Sequence, residues 1–140
     1  MMLKANSRLR AVGIDPCVDH DGDDNGFRRV NLNLRLSGLD GKLIHLRAKS
    51  VDVGPMWSTP IDVLLIDGDH NAPTPENDLC AFAPWVKPGG WLLLDDMHGA
   101  DVRDAWERVA PMIWGGQSAQ VMLPLPGCPS YKLQRVRRLA

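Results

Sequence analysis

Four short strand-like runs punctuate the first two thirds of the chain. Leu9 to Ile14 ends at Asp15-Pro16, and Leu43 to Leu46 follows the turn signal Asp40-Gly41. Ile61 to Ile66 ends at Asp67-Gly68, and Trp91 to Leu94 runs from Pro88-Gly89-Gly90 to Asp95-Asp96. The last two are continuous apolar runs rather than alternating ones, which predicts strands buried on both faces, as in a parallel sheet. Between and after them the spacing changes to three and four. Leu79, Phe82 and Val86 follow Thr74-Pro75, an N-cap with proline at the first helical position, and Val102, Ala105, Trp106 and Val109 follow Asp101. Strands alternating with helices through short connections predict an α/β fold. Its expected core includes Leu64, Ile66, Leu92, Leu94, Phe82 and Trp106.

Residues 26–38 carry two patterns. Val30, Leu32, Leu34 and Leu36 alternate strictly with polar residues, which reads as a strand, with a hairpin across Gly38-Leu39-Asp40-Gly41. In a strand–helix–strand order a helix belongs there instead. Near the C-terminus, Ala119 to Leu123 and Tyr131 to Val136 flank a loop of Pro124, Pro126, Gly127 and Pro129, which suits an antiparallel hairpin closing one sheet edge.

Charge narrows the function classes. The 140 residues hold 16 basic and 17 acidic side chains, a net charge of −1, so no global field draws the chain to nucleic acid or to an anionic membrane. No apolar run exceeds five residues, too few for a membrane-spanning helix. Lys4, Arg8 and Arg10 with no apolar stretch between them do not make a secretory signal. Cys17, Cys80 and Cys128 are odd in number and widely spaced, the pattern of neither a disulfide framework nor a zinc site. A single soluble, cytoplasmic domain is expected. Five aspartates within residues 15–24 and four basic residues within 131–140 read as a solvated loop and a solvated end. Asp21 to Gly26 matches the first half of a calcium loop, but the twelfth position is Leu32 where a glutamate is required.

The chemistry concentrates at two strand ends, Asp67-Gly68-Asp69-His70 and Asp95-Asp96-Met97-His98. In parallel sheets ligands bind outside the carboxyl ends of the strands, so neighbouring strands would aim Asp67, Asp69, Asp95 and Asp96 into one crevice. Clustered carboxylates repel unless a proton or a cation neutralises them. Oxygen donors of this kind suit Mg²⁺, which makes Asp67, Asp95 and Asp96 candidate metal ligands. His70 and His98 are candidate general bases near neutral pH. Asp15, closing the first strand, is placed to accept hydrogen bonds from a ribose.

At these residues the sequence resembles the class I S-adenosylmethionine-dependent methyltransferases, closest to the subgroup with Ile-Asp-Gly-Asp-His after the fourth strand. Ile61–His70, the turn Lys87-Pro88-Gly89-Gly90 before an apolar strand, and Arg10–Pro16 carry the resemblance, which spans residues 9 to about 136. It implies a Rossmann-like, mostly parallel sheet with a C-terminal antiparallel hairpin, and it favours a helix at residues 26–38. It implies S-adenosylmethionine as cofactor, with Asp15, Ser50 and Asp67 as its contacts, and methyl transfer to a hydroxyl of a small-molecule acceptor. A divalent metal would assist there by lowering the acceptor's pKa.

The sequence also departs from the family. Its first strand and glycine-rich loop should lie upstream of Leu9, yet no glycine precedes Gly13, so the fold is expected to be N-terminally truncated. Lys49 stands where the family often has an acid near the adenine, and Asp52 is the candidate substitute. Strands left without neighbours would favour pairing with another copy of the chain. Two alternatives stand beside methyl transfer. One is a non-catalytic fragment that acts as an oligomerising or interaction domain. The other takes Asp67-Gly68-Asp69 as the metal motif of a nucleotide-sugar glycosyltransferase, against which the Pro-Gly-Gly turn and the second strand-end pair both argue.

Overall fold

A computed structural model describes residues 8–17, 25–114, 118–121 and 134–139. The chain divides into two compact units, Met1–Asp52 and Val53–Ala140. The motif aspartates Asp19, Asp21, Asp23 and Asp24, the expected Pro124–Pro129 loop and Cys128 lie outside the described residues.

In the N-terminal unit, β1 (Ala11–Ile14) and β2 (Leu43–Leu46) pair in parallel, with Gly13 opposite His45. The connection between them contains α1 (Asn25–Leu36), so the residues with two readable patterns form a helix. Phe27, Asn31 and Leu34 are its part-buried positions, spaced by four and three, while Leu32 and Leu36 are exposed. Val30 is exposed as well, so three of the four alternating apolar residues face solvent, and the helical period wins. The helix stops at Gly38, whose φ of 64° suits glycine. Leu39 N–H donates to the Leu34 carbonyl and Gly38 N–H to that of Arg35, the Schellman arrangement that satisfies the last carbonyls.

The short helix α2 (Ser50–Val53) carries the unit boundary. In the C-terminal unit, β3 (Ile61–Ile66) pairs in parallel with β4 (Val86–Leu94). β6 (Gln134–Arg138) pairs antiparallel with both β4 and β5 (Ser118–Val121), giving the order β3-β4-β6-β5. The fold is therefore mixed α/β, with parallel pairing early and an antiparallel hairpin at one edge. The parallel strands fall in two separate sheets rather than one continuous sheet.

The register between β3 and β4 jumps from Ile61↔Val86 to Val63↔Trp91, so Lys87-Pro88-Gly89-Gly90 bulges out of the strand. Gly89 has φ 77°. A Cβ on Gly90 would stand 2.8 Å from the Lys87 carbonyl oxygen and 3.0 Å from that of Asp62. Only glycine fits there without moving backbone.

One face of this sheet is packed. Leu92, Leu94 and Val136 are buried beneath Leu79 of α3 (Thr74–Phe82) and Val102, Ala105, Trp106 and Val109 of α4 (Ala100–Val109). Phe82 is buried as well. Leu64 and Ile66 fall short of the expected full burial. They are part-buried against the same cluster, because β3 is the outer strand of its sheet among the described residues. On the opposite face Val63 and Leu65 are 50% and 52% exposed. No helix among the described residues is long and apolar enough to cross a membrane.

Candidate active site

The backbone brings the two motifs together. Asp95 N–H donates to the Ile66 carbonyl at 3.1 Å, extending the parallel ladder one residue past β4. Asp67 and Asp95 therefore leave adjacent strand ends side by side. With Asp69, His70 and Asp96 they line a small crevice floored by Ile66, Pro75 and Val102, with room for about one water molecule.

Within the crevice the carboxylates take different parts. Asp67 is held above the ordinary carboxylate range, first by loss of water, then by the charge of Asp95 and a hydrogen bond between the two carboxyls, and last by Asp96. Burial and the neighbouring charge thus both favour the protonated form of Asp67. Asp96, at φ 52°, turns its two oxygens elsewhere. Its Oδ2 lies 3.8 Å from His70 Nδ1, and its Oδ1 lies 3.6 Å from His98 Nδ1. The tight turn behind it is closed by Gly99 N–H on the Asp96 carbonyl at 2.8 Å.

Asp69 is a turn residue. Its Oδ1 accepts from Asn71 N–H at 3.0 Å and from the Asn71 amide at 2.6 Å, and its Oδ2 accepts from the Thr74 hydroxyl at 3.4 Å. The bonds from Asn71 hold it below the ordinary carboxylate range. Thr74 is consequently not the N-cap. The helix begins at Thr74, Pro73 occupies the cap position, and no side chain caps it. Asp101, at the start of α4, accepts from Ala72 N–H at 3.0 Å and fixes the far end of the same loop.

Asn71, Thr74 and Asp101 are the residues that sequence reading missed as loop holders. Short polar side chains two and five residues after Asp69 were the available signal for the first two. Nothing local pointed to Asp101, 29 residues from its partner.

The sequence offers Asp67, Asp95 and Asp96 as metal ligands. Asp67, Asp95 and Asp96 do share one crevice. Among the described residues, however, no group of three or more His, Cys, Asp or Glu side chains is arranged to hold a metal ion. The reason is local: Asp67 and Asp95 face each other, and Asp96 faces two histidines. The residues do not fit the metal as placed.

In the N-terminal unit, Asp15 and Ser50 follow the carboxyl ends of the paired strands β1 and β2. Asp15 is exposed. Its Oδ1 accepts from Cys17 N–H at 2.6 Å. A carboxylate has a second acceptor oxygen, so Oδ2 can serve a hydroxyl, as the ribose of a nucleotide would require. Ser50 opens α2 and is part-buried.

Comparison with known proteins agrees with this layout. An uncharacterised protein of Acanthamoeba polyphaga mimivirus is 25% identical over 138 residues, covering 91% of this chain and 61% of its own length. The O-methyltransferase NovP superposes with a TM-score of 0.74 at 18% identity, covering 99% of this chain and 64% of its own. The O-methyltransferase TomG from Streptomyces achromogenes, in complex with SAM, gives 0.66 at 12% identity, with 99% and 77% covered. At these identities the structures share the fold. The chain spans less than two thirds of the length of the mimivirus protein and of NovP. A family model described as a methyltransferase domain matches residues 1–97, well over half of the sequence, including Asp67–His70 and the second strand-end motif up to Met97, and the chain belongs to that methyltransferase domain family.

Proposed function

We propose that this chain binds S-adenosylmethionine and transfers its methyl group to a hydroxyl oxygen of a small molecule. The observation that carries the reading is the meeting of Asp67–His70 with Asp95–His98 at adjacent parallel strand ends, in a chain of the methyltransferase domain family. The shared fold with O-methyltransferases, one of them in complex with SAM, supports both the oxygen acceptor and the cofactor.

In the N-terminal unit this reading gives Asp15 the ribose hydroxyls and Ser50 the adenine. In the C-terminal unit it gives Asp67 a cofactor contact, and His70 or His98 the acceptor's proton. The bound cofactor supplies an electrophilic methyl group. The chain's own work is to place the acceptor oxygen in line with that group and to take its proton as the new bond forms. Asp96 orients either imidazole by its Nδ1 and stabilises the imidazolium, which leaves Nε2 as the base. No step is routed through a metal.

Calorimetric titration with S-adenosylmethionine tests the reading, coupled to transfer of a labelled methyl group to a panel of hydroxylated small molecules. Binding that weakens about ten- to a hundredfold in Asp15→Ala is expected, the worth of one hydrogen bond to a charged group. Binding unaffected by Asp15→Ala would remove the ribose assignment.

A second reading, an interaction domain that pairs with another copy, is favoured by one observation. β3 is an outer strand with Val63 and Leu65 half exposed, and an apolar strand with an open edge is a template for pairing. The two readings are compatible.

A further inference from the structure

Away from the strand-end crevice, β1 and β2 bring together two side chains 28 residues apart in sequence. Cys17 Sγ lies 3.5 Å from His45 Nε2 in a part-buried contact. Both partners are held. Cys17 has φ 50°, a left-handed conformation unusual for a residue with a side chain, and its N–H is fixed on Asp15 Oδ1 at 2.6 Å. The imidazole of His45 stacks on Phe27 at 4.8 Å between ring centroids, 29° from parallel. Its Cδ2 lies 3.8 Å from where a Cβ on Gly13 would stand.

The surroundings also decide where the imidazole proton sits. His45 Nδ1 is buried with no hydrogen-bond partner among the described residues. A buried N–H pointing at nothing is rarer than an unfilled acceptor. The proton therefore belongs on Nε2, where it donates to the sulfur of Cys17. A donor aimed at a cysteine sulfur favours the thiolate, which is the nucleophilic form.

We propose that Cys17, held against His45, is a reactive thiol that takes soft carbon electrophiles. The thiolate sulfur attacks the electrophilic carbon, a C–S bond forms, and the leaving group departs with its electron pair. The thiol proton goes to solvent, and the Nε2–H of His45 stays in place. Cys80 provides an internal comparison, because its thiol is pushed up by burial and by Glu76 and stays protonated at neutral pH.

The test uses the full chain with iodoacetamide as the probe and peptide mass spectrometry to follow each cysteine. The expected result is that Cys17 is alkylated about tenfold faster than Cys80 in the folded protein, and faster than Cys17 itself in denaturant. Such a factor corresponds to a tenfold greater thiolate fraction. His45→Phe keeps the stacked ring and removes the donor, so Cys17 should slow about tenfold while Cys80 is unchanged. His45→Gln, which keeps an N–H donor, should restore part of the rate. Native Cys17 reacting no faster than denatured Cys17 would overturn the proposal without any variant having to fold. So would an undiminished rate in a folded His45→Phe.

Discussion

His70 Nδ1 lies 3.8 Å from Asp96 Oδ2, and the other oxygen of the same carboxylate faces His98. Two histidines from two different loops thus share one orienting acid. If either is the base, removing Asp96 should lower kcat by about a hundredfold, the lower range for general-base contributions. KM for S-adenosylmethionine should stay nearly constant, because Asp96 acts through the imidazole. His70→Ala and His98→Ala, assayed separately for initial rate, should then show one large and one small loss. Equal small losses in both would show that neither imidazole takes the proton.

Asp67 and Asp69 predict opposite pH behaviour. Asp67 is raised from an ordinary value of 3.8, so the folded state keeps its proton to higher pH than the unfolded chain does. Its contribution to stability is whole below that ordinary value and is lost as pH rises through the folded one. Asp67→Asn should therefore raise Tm at neutral pH and change it little in acid. Asp69 is lowered from 3.8, so its contribution is whole above that value and is lost as pH falls through the folded one. Asp69→Ala should lower Tm at neutral pH, with an effect that fades in acid. Thermal melts from acid to neutral pH check both signs.

Asp95→Ala tests the carboxyl pair. It removes the nearest negative charge from Asp67 and the hydrogen bond between them, so metal-free stability should hold or rise. Millimolar Mg²⁺ should move Tm by less than about 1 °C, since a ligand stabilises only as far as it binds the folded state. A larger rise, absent in Asp95→Ala, would mean that the cation binds the trio.

Gly90 and Leu92 test the packing that supports the site. Gly90→Ala drives a methyl group into two carbonyl oxygens and the Val86 side chain, and should cost about 1–3 kcal/mol by overpacking. Leu92 is fully buried, and Leu92→Ala should cost about 2–5 kcal/mol. Denaturant midpoints at constant slope would measure both.

Val63 and Leu65 test the pairing surface. Placing Lys at both positions should shift the chain toward monomer in light scattering and leave the melting of the core unchanged. An assembly state identical in the variant and its parent would remove this face as the interface.

The sequence alone determined the main strands, most of the helices and the placing of the aspartates at the strand ends. Continuous apolar runs ending in Asp67 and Asp95, the Lys-Pro-Gly-Gly turn and the spacing of Val102, Ala105, Trp106 and Val109 are local patterns, and local patterns survive in one dimension. Residues 25–36 were legible only in part, because alternation and helical spacing share Val30 and Leu34, and burial of Phe27, Asn31 and Leu34 decides between them. Tertiary structure alone decided that Asp96 faces two histidines while Asp67 pairs with Asp95, and that Thr74 turns to Asp69 instead of capping its helix. It also set His45 against Cys17. Each of those pairings depends on a side-chain direction fixed by a backbone turn or by strand register. Composition and spacing carry no record of direction, so four aspartates that look equivalent in sequence end with four different partners.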